Sequence, residues 1–160
     1  MLLLLIRHAH AGDRDPDRWP DDRDRPITDK GRKAQRRMSR RLGKLGLVPT
    51  RVLASPWLRA AQTAAVLVEK LELTTPVVPC AALATEPDLI RLADDVGEPG
   101  PDAVVALVGQ SPWMEELAGL LLVGSAARLR VDFPKSGVMG IDLERIAPGA
   151  GELRFFLRPR

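Results

Sequence analysis

The sequence Leu-Leu-Leu-Leu-Ile-Arg-His at residues 2–8 places five uninterrupted apolar residues before an arginine and a histidine. An apolar run without polar alternation is typical of a strand covered on both faces, as in a parallel sheet between layers of helices. The run is shorter than the roughly 7–15 apolar residues of a signal peptide or the about 20 of a membrane helix. We therefore predict a buried strand over Leu2–Ile6 that ends at Arg7 and His8.

Two more apolar runs, at Val52–Ala54 and Val104–Val108, predict further buried strands, and each of the three runs leads towards a helical pattern. After the first comes a polar loop at residues 13–25 in which Asp and Arg alternate, which suggests internal ion pairs. A helix then follows from about Asp29 to Leu45 with Thr28 as its N-cap. Its apolar residues recur on one face, as Ala34, Met38, Leu42 and Leu45.

The motif Ser-Pro-Trp stands at both other junctions, at residues 55–57 and 111–113. Serine is a favoured N-cap and proline a favoured first helical residue, so we predict helices that begin at Pro56 and Pro112. For Trp57 and Trp113 in these first turns, packing is favoured over ligand stacking. The apolar faces of the two helices are predicted to be Leu58, Ala61, Ala65 and Val68, and Met114, Leu117, Ala118 and Leu121.

The rest of the chain completes an α/β pattern. We predict a strand at Pro76–Val78, a short helix near Pro87–Val96, and a C-terminal hairpin of strands around Val138–Glu144 and Glu152–Leu157, with a Pro-Gly turn at residues 147–151. The predicted fold is a three-layer α/β sandwich with a mostly parallel central sheet flanked by helices, in a single domain over residues 1–160.

Composition sets the broad class of protein. Apolar residues make up 45% and charged residues 28% of the 160, as in an ordinary globular protein, and the net charge of +3 is too small to imply nucleic acid by itself. The one cysteine, Cys80, excludes an internal disulfide and suits a reducing compartment. We expect a cytoplasmic protein without a membrane segment and read Cys80 as a buried structural thiol.

Polar residues follow all three apolar runs where the strands end. They are Arg7-His8, Ser55 with Arg59 one helical turn later, and Gly109-Gln110-Ser111. In open α/β sheets, ligands bind outside the carboxyl ends of the strands, and the N-termini of helices favour anions. A guanidinium matches phosphate oxygens, and a neutral imidazole nitrogen can attack phosphorus. If the three runs are neighbours, these residues form one phosphate pocket.

Two motifs carry a resemblance to a known family. Arg7-His8-Ala9-His10-Ala11 resembles the Arg-His-Gly motif that opens the histidine phosphatase superfamily, and the segment Ser-Pro-Trp-Leu-Arg-Ala-Ala-Gln-Thr at residues 55–63 resembles its second motif. Arg25-Pro26-Ile27-Thr28 with Gly31 resembles its segment at the first helix. The similarity runs to about residue 123. The short SixA-like branch, which dephosphorylates phosphohistidine in proteins, is the most similar.

The resemblance implies a role for each matching residue. His8 is the implied nucleophile, and Arg7 and Arg59 bind the phosphoryl oxygens. Gln110 lines the pocket where the family has a second histidine; His8 and His10 are the chain's only histidines. Because glutamine cannot carry positive charge, slow turnover is expected. The proton donor is sought between residues 82 and 88, with Glu86 as first candidate and Asp88 as second.

Three functions stay open from the sequence. The first is a phosphatase without metal or other cofactor that releases inorganic phosphate from a phosphohistidine protein or a small phosphomonoester. Its pocket is expected to be open, because the short segment at residues 73–102 leaves little chain for a lid. The second is a phospho-ligand binding module that lost turnover with Gln110. The third is RNA binding through the basic helix Lys30–Lys44, ranked last because interleaved aromatics are absent.

Overall fold

The computed structural model describes residues 1–159, which form one six-stranded sheet with helices on both faces. The strands are β1 (Leu2–Arg7), β2 (Arg51–Ala54), β3 (Val77–Pro79), β4 (Val104–Gly109), β5 (Val138–Asp142) and β6 (Glu152–Leu157). The helices are α1 (Asp29–Lys44), α2 (Leu58–Leu71), α3 (Leu89–Val96) and α4 (Trp113–Val123), with short 3₁₀ turns at Asp22–Asp24 and Ala81–Ala84.

The strand order is β3-β2-β4-β1-β5-β6. β1 to β4 run parallel, whereas β5 is antiparallel to β1, and β6 returns antiparallel beside β5. The three-layer, mostly parallel sheet with a C-terminal hairpin is thus confirmed. β1 lies between β4 and β5 and pairs Arg7 with Gly109, so the end of β1 meets the end of β4.

The uninterrupted apolar run of β1 is explained by two cores, one on each face of the sheet. Leu3 and Leu5 pack in the core that includes α3 and α4, whereas Leu4 and Ile6 pack in the core that includes α1 and α2. Because successive side chains of a strand point to opposite faces, a strand covered on both sides has no polar positions. All four side chains are fully buried.

The predicted starts of two helices are wrong by one or two residues. α2 begins at Leu58 and α4 at Trp113, and neither serine side chain caps its helix. The Ser55 hydroxyl accepts from the Trp57 N–H at 3.3 Å, and the Ser111 hydroxyl donates to the Glu115 carboxylate at 2.7 Å. Serine has local alternatives to capping, and these two use them.

The predicted apolar face of α2 is also wrong, whereas that of α4 is confirmed. α2 leaves Leu58 and Ala65 exposed and buries instead Arg59, Ala60, Thr63, Ala64, Val66 and Leu67. This helix is rich in alanine and apolar nearly all round, so periodicity alone does not select its inner face. In α1, Met38 and Leu42 are buried as predicted, but Leu45 lies beyond the helix and is 55% exposed.

Candidate active site

The carboxyl ends of β1, β2 and β4 meet at one edge of the sheet, as the sequence predicts. The His8 N–H donates to the Gly109 carbonyl at 2.8 Å, and the Ser55 N–H donates to the Val108 carbonyl at 2.9 Å. Arg59, the second residue of α2, directs its side chain back over the end of β1. Arg7, His8 and Arg59 therefore share this edge.

Hydrogen bonds fix the protonation of the His8 ring. Nδ1 lies 2.6 Å from the Ala9 carbonyl oxygen, which can only accept, so Nδ1 carries the proton. The Arg59 Nε–H donates to Nε2 at 3.2 Å. The lone pair of Nε2 therefore lies beside a guanidinium, on the side where an oxyanion would bind.

His8 is held neutral by its surroundings. Burial lowers its pKa from 6.5 to about 3, the hydrogen bond to the Ala9 carbonyl opposes this change, and the charges of Arg59, Arg7 and Lys135 add to it. A neutral imidazole near pH 7 has a free lone pair, which is the form that can attack phosphorus.

The carbonyl that holds His8 is tied to α2. The Ala9 N–H donates to the Thr63 hydroxyl at 2.9 Å, and that hydroxyl donates to the Arg59 carbonyl at 2.6 Å. All of these atoms are buried. The chain of bonds links the residue after His8 to the turn of α2 that carries Arg59, so the two side chains keep a fixed relation. The sequence places Thr63 in a motif but gives no sign of this role.

Arg59 is engaged on every side of its guanidinium. Besides its bond to His8, Nη1 donates to the Asp22 carbonyl at 2.7 Å, and Nη2 lies 3.2 Å from the Asp22 carboxylate. The Trp57 ring centroid lies 4.6 Å from Cζ. Burial lowers the pKa of Arg59, and the charge of Asp22 partly offsets it.

Asp22 is itself held by Arg25, whose Nε donates to the carboxylate at 2.8 Å and whose Nη2 donates at 3.2 Å. These bonds from Arg25 are the main reason that the pKa of Asp22 is lowered; the charge of Arg59 acts in the same direction. The predicted internal ion pairs of the Asp- and Arg-rich loop are confirmed here and at Arg23 with Asp21. The sequence does not indicate that one of these carboxylates reaches Arg59.

Arg7 contacts the loop between α4 and β5, for which the sequence predicts no helix or strand. Its Nη1 donates to the Phe133 carbonyl, while its buried Nε has no partner among the described residues. The Ser136 N–H donates to the carbonyls of Arg7 at 3.0 Å and His8 at 3.2 Å. Ser136 adopts a left-handed conformation with φ 59° to do so. The loop therefore fixes Lys135 at the rim of the site.

Lys135 is a third cation of the site. The charges of Arg7 and Arg25, after burial, lower its pKa, so these cations lie within electrostatic reach of one another. A lysine after a proline between two predicted elements carries no sequence signal of this kind. Lys135 lies at the site because its loop folds back onto the end of β1.

Gln110 is buried directly after β4, and its amide is held by the segment that follows β3. Nε2 donates to the Leu83 carbonyl at 2.6 Å, and no described residue contacts Oε1 through a hydrogen bond. The Leu83 carbonyl accepts, so it sets which end of the amide faces it. Gln110 thus adds no charge and no direct bond to Arg7, His8 or Arg59.

The two proposed proton donors and His10 lie outside this cluster of bonds. Within residues 1–159, the exposed Glu86 side chain forms no hydrogen bond or ion pair, and Asp88 caps α3 by accepting from the N–H groups of Ile90 and Arg91. The His10 Nδ1 accepts from the Gly12 N–H at 3.2 Å and lies 3.0 Å from the Thr28 hydroxyl. His10 therefore braces the loop onto the start of α1.

The described residues show what the site can bind. Two guanidinium groups lie at this edge with a neutral imidazole whose Nε2 accepts from Arg59, and the Lys135 ammonium is within electrostatic reach; this set of cations suits a tetrahedral oxyanion. No group of three or more His, Cys, Asp and Glu side chains in the described chain is placed to hold a metal ion. Nor does any helix there have the length and apolar character needed to cross a membrane.

Fold and site together define an α/β protein with cations around a neutral histidine at the carboxyl ends of its strands, and comparison with known proteins gives its family. Residues 3–84 match the family model of the histidine phosphatase superfamily (branch 1). An uncharacterized protein of Picosynechococcus sp. strain PCC 7002 is 34% identical over 153 residues, covering 88% of this chain and 84% of that protein.

Solved structures agree with this match. The protein histidine phosphatase SixA complexed with tungstate has a TM-score of 0.78 at 23% identity, covering 99% of this chain and 97% of SixA. A candidate phosphohistidine phosphatase SixA from Nakamurella multipartitia has a TM-score of 0.68 at 25% identity, covering 99% and 95%. The chain belongs to the histidine phosphatase superfamily, and it is a phosphatase with a SixA-like fold.

Proposed function

We propose that the protein is a metal-independent phosphatase that passes a phosphoryl group from its substrate to Nε2 of His8 and then to water, releasing inorganic phosphate. The observation that carries this proposal is the pair of bonds on the His8 ring. Nδ1 is held by the Ala9 carbonyl at 2.6 Å, and Nε2 presents its lone pair beside Arg59 at 3.2 Å. Family membership supports the same chemistry.

In the first step, the Nε2–P bond forms as the bond from phosphorus to the leaving group breaks, and the leaving group departs with the electron pair. Arg7 and Arg59 bind the non-bridging oxygens, and Lys135 adds positive charge at the rim. In the resting site the Arg59 Nε–H occupies the Nε2 lone pair. A phosphoryl oxygen has to accept this N–H in place of Nε2 before Nε2 can attack. Binding of the substrate therefore also frees the lone pair of Nε2.

In the second step, water attacks phosphorus, the electron pair of the Nε2–P bond returns to Nε2, and the proton of the water passes to the departing phosphate. While the ring is phosphorylated it carries positive charge, because Nδ1 keeps its proton. The Ala9 carbonyl, fixed through Thr63, stabilises that charge at 2.6 Å.

The preferred leaving group is one that needs little protonation. Asp22 is a carboxylate bound by two arginines, and a carboxyl group with a lowered pKa is a poor proton donor near pH 7. Glu86 stays our candidate donor, on the segment three residues after Leu83. The imidazole of a phosphohistidine protein is the leaving group that we favour, and a small phosphomonoester with an acidic alcohol comes second. We place the enzyme in the cytoplasm, which suits the free, buried Cys80.

Two observations favour a second candidate, a phospho-ligand binding module with little turnover. Asp22 partly neutralises Arg59, and Gln110 supplies no charge towards the phosphoryl group. A loss of one charged donor at a developing oxyanion typically costs about 10²–10³ in rate. The module differs from the phosphatase in releasing no phosphate.

Hydrolysis of p-nitrophenyl phosphate with and without EDTA tests the proposal. We expect the wild type to hydrolyse this substrate slowly, at a rate that EDTA does not change. His8→Ala should lose the activity completely, whereas the matched control His10→Ala should keep it. Gln110→His should raise the rate about tenfold or more. Quenching with alkaline SDS during turnover with ³²P-labelled substrate should trap a label on the protein that survives alkali, is released by acid and is absent from His8→Ala. Label on His8→Ala, or loss of turnover with EDTA, contradicts the mechanism. Phosphate binding without any hydrolysis favours the binding module.

A further inference from the structure

The outer face of α1 carries only cations after its first residue. The exposed side chains of α1 beyond Asp29 are all basic, and they recur at intervals of three or four residues. We call this set the basic stripe; its members are Lys30, Lys33, Arg37, Arg40 and Lys44. This spacing places them on one face of the helix, over about 21 Å at 1.5 Å per residue. The stripe is therefore one continuous row of positive charge.

No stripe side chain is paired with a carboxylate among the described residues, and the one acidic residue of α1 is the exposed Asp29 at its start. Of the other basic residues of α1, Arg36 pairs with Glu69 and Arg41 donates to the Arg158 carbonyl. None of the five stripe residues forms an ion pair within residues 1–159. Since the whole chain has a net charge of +3, the chain without these five residues has a net charge of −2.

The arrangement is unfavourable for the helix itself. Lys30 stands in the first turn, where the helix dipole disfavours cations, whereas Lys44 stands in the last turn, where the dipole favours them. Like charges three and four residues apart also repel, and this applies to each successive pair along the row. A ligand of opposite charge relieves both costs, whereas an ordinary solvated face would mix the two signs of charge.

The stripe begins at the rim of the active site. The Thr28 N–H donates to the His10 carbonyl at 2.8 Å, and Gly31 packs so closely on the His10 backbone that a Cβ there would lie 2.2 Å from its oxygen. Burial and then the charges of Lys135 and Lys30 lower the pKa of His10. Lys135 and Lys30 therefore both lie within electrostatic reach of His10, with the carboxylate of Asp13 acting in the opposite direction.

We propose that the basic stripe is the docking surface for an acidic face of a phosphorylated protein, which presents its phosphorylated side chain to His8 while its acidic residues lie along α1. The proposal rests on the proposed phosphatase function and names its partner. A partner that lies along α1 reaches the active site at Lys30. It can therefore contact the basic stripe and present its phosphorylated side chain to His8 at the same time. Electrostatic steering by such a row raises the rate of encounter.

The chemistry of the site favours a protein over RNA as the occupant. Phosphorus inside an RNA strand is a diester, whereas the site takes a terminal phosphoryl group with three free oxygens. α1 also contains no aromatic residue on which bases could stack. RNA binding is therefore an alternative outcome of the test.

The test compares two peptides that carry the same phosphohistidine, one followed by eight glutamates and the other by eight glutamines. Eight extended residues span about 26 Å, enough to cover the stripe. For the wild-type enzyme at low salt, we expect kcat/KM to be about tenfold higher for the acidic peptide, with the ratio falling towards one as salt rises. A ratio near one at low salt overturns the proposal.

A stripe variant and a charge-matched control complete the design. Lys33→Gln, Arg37→Gln, Arg40→Gln and Lys44→Gln together should bring the peptide ratio near one while p-nitrophenyl phosphate hydrolysis stays unchanged. The control carries Arg91→Gln, Arg128→Gln, Arg130→Gln and Arg145→Gln, four exposed cations off α1, and should keep the tenfold ratio. An equal loss in the control means that net charge alone acts, and overturns the proposal.

Failure of the proposed function gives a different result. If neither peptide nor the aryl phosphate is hydrolysed, the phosphatase mechanism fails, and the docking surface is read from anisotropy of a fluorescein-labelled peptide of eight glutamates. Binding that the stripe variant loses and the control keeps supports docking; no binding to wild type overturns it. Competition with a 20-nucleotide RNA tests the alternative occupant. If the RNA displaces the acidic peptide at a concentration below the Kd of the peptide, RNA and not a protein is the ligand of the stripe.

Discussion

His8 lies between a carbonyl and a guanidinium, and this position decides its protonation. With a pKa of about 3, the ring should stay neutral down to roughly pH 4, with its proton on Nδ1. The chain has two histidines, so NMR of the imidazole Hε1–Cε1 pairs gives two signals. We expect one signal that does not shift between pH 8 and 5 and that disappears in His8→Ala. A midpoint near 6.5 for that signal would show that burial does not govern His8.

In the proposed mechanism, Asp22 competes with the phosphoryl group for Arg59. Its carboxylate lies 3.2 Å from Nη2, and its backbone carbonyl accepts from Nη1 at 2.7 Å. Asp22→Asn removes the negative charge and keeps the carbonyl, so we expect inorganic phosphate to bind several-fold more tightly by calorimetry. Asp21→Asn, which alters a carboxylate that pairs with Arg23 at the surface, is the control and should leave the affinity unchanged. Weaker binding in Asp22→Asn would instead mean that Asp22 positions Arg59.

Part of the site follows from single residues in the sequence and part does not. Arg7, His8 and Arg59 are predictable because their motifs stand at the ends of apolar runs. Lys135 and Asp22 lie in loops, and each reaches the site through contacts with residues far away in the chain, which no local pattern encodes. The orientation of the buried Gln110 amide depends likewise on the distant Leu83 carbonyl.

At the level of elements, α1 and the loop after His8 depend on a close approach at Gly31. A Cβ on Gly31 would lie 2.2 Å from the His10 carbonyl oxygen, so Gly31→Ala has to push the helix and the loop apart. We expect a loss of about 1–3 kcal/mol in urea unfolding and lower phosphatase activity. Gly43→Ala in the same helix is the control, because its Cβ meets only the flexible end of Leu71 at 3.0 Å. Equal effects of the two substitutions would contradict this account.

The elements that sequence predicts well are those with an unambiguous burial pattern, either buried on both faces or on one distinct apolar face. β1 and β4 are uninterrupted apolar runs, and α4 has one apolar face, so their placement follows from composition. The inner face of α2 cannot be predicted from its pattern, because alanine is compatible with both burial and exposure. Its orientation is determined by Arg59 and Thr63, whose polar atoms bind the end of β1.

At the scale of the whole molecule, stability should fall on mild acidification. The folded-state pKa of His8, about 3, lies below its ordinary 6.5, so below pH 6.5 the unfolded chain takes up a proton that the folded chain refuses. This stability is present above pH 6.5 and is lost as pH falls towards 3; His8 alone accounts for about 2 kcal/mol between pH 7 and pH 5. Urea unfolding at both pH values should show the loss in wild type and a smaller one in His8→Gln. Equal losses would assign the effect to other groups.

The two Ser-Pro-Trp motifs have a consequence for how the protein can be studied. Trp57 and Trp113 pack edge to face with ring centroids 5.6 Å apart, and Trp57 also covers the Arg59 guanidinium. The chain has three tryptophans and no tyrosine, so its ultraviolet emission comes from indole alone. In the proposed mechanism an oxyanion takes the Arg59 N–H from His8, and this shift of the guanidinium beside Trp57 is expected to change the quenching of Trp57. The protein therefore contains its own fluorescent reporter of site occupancy, and unlabelled ligands can be screened by intrinsic emission.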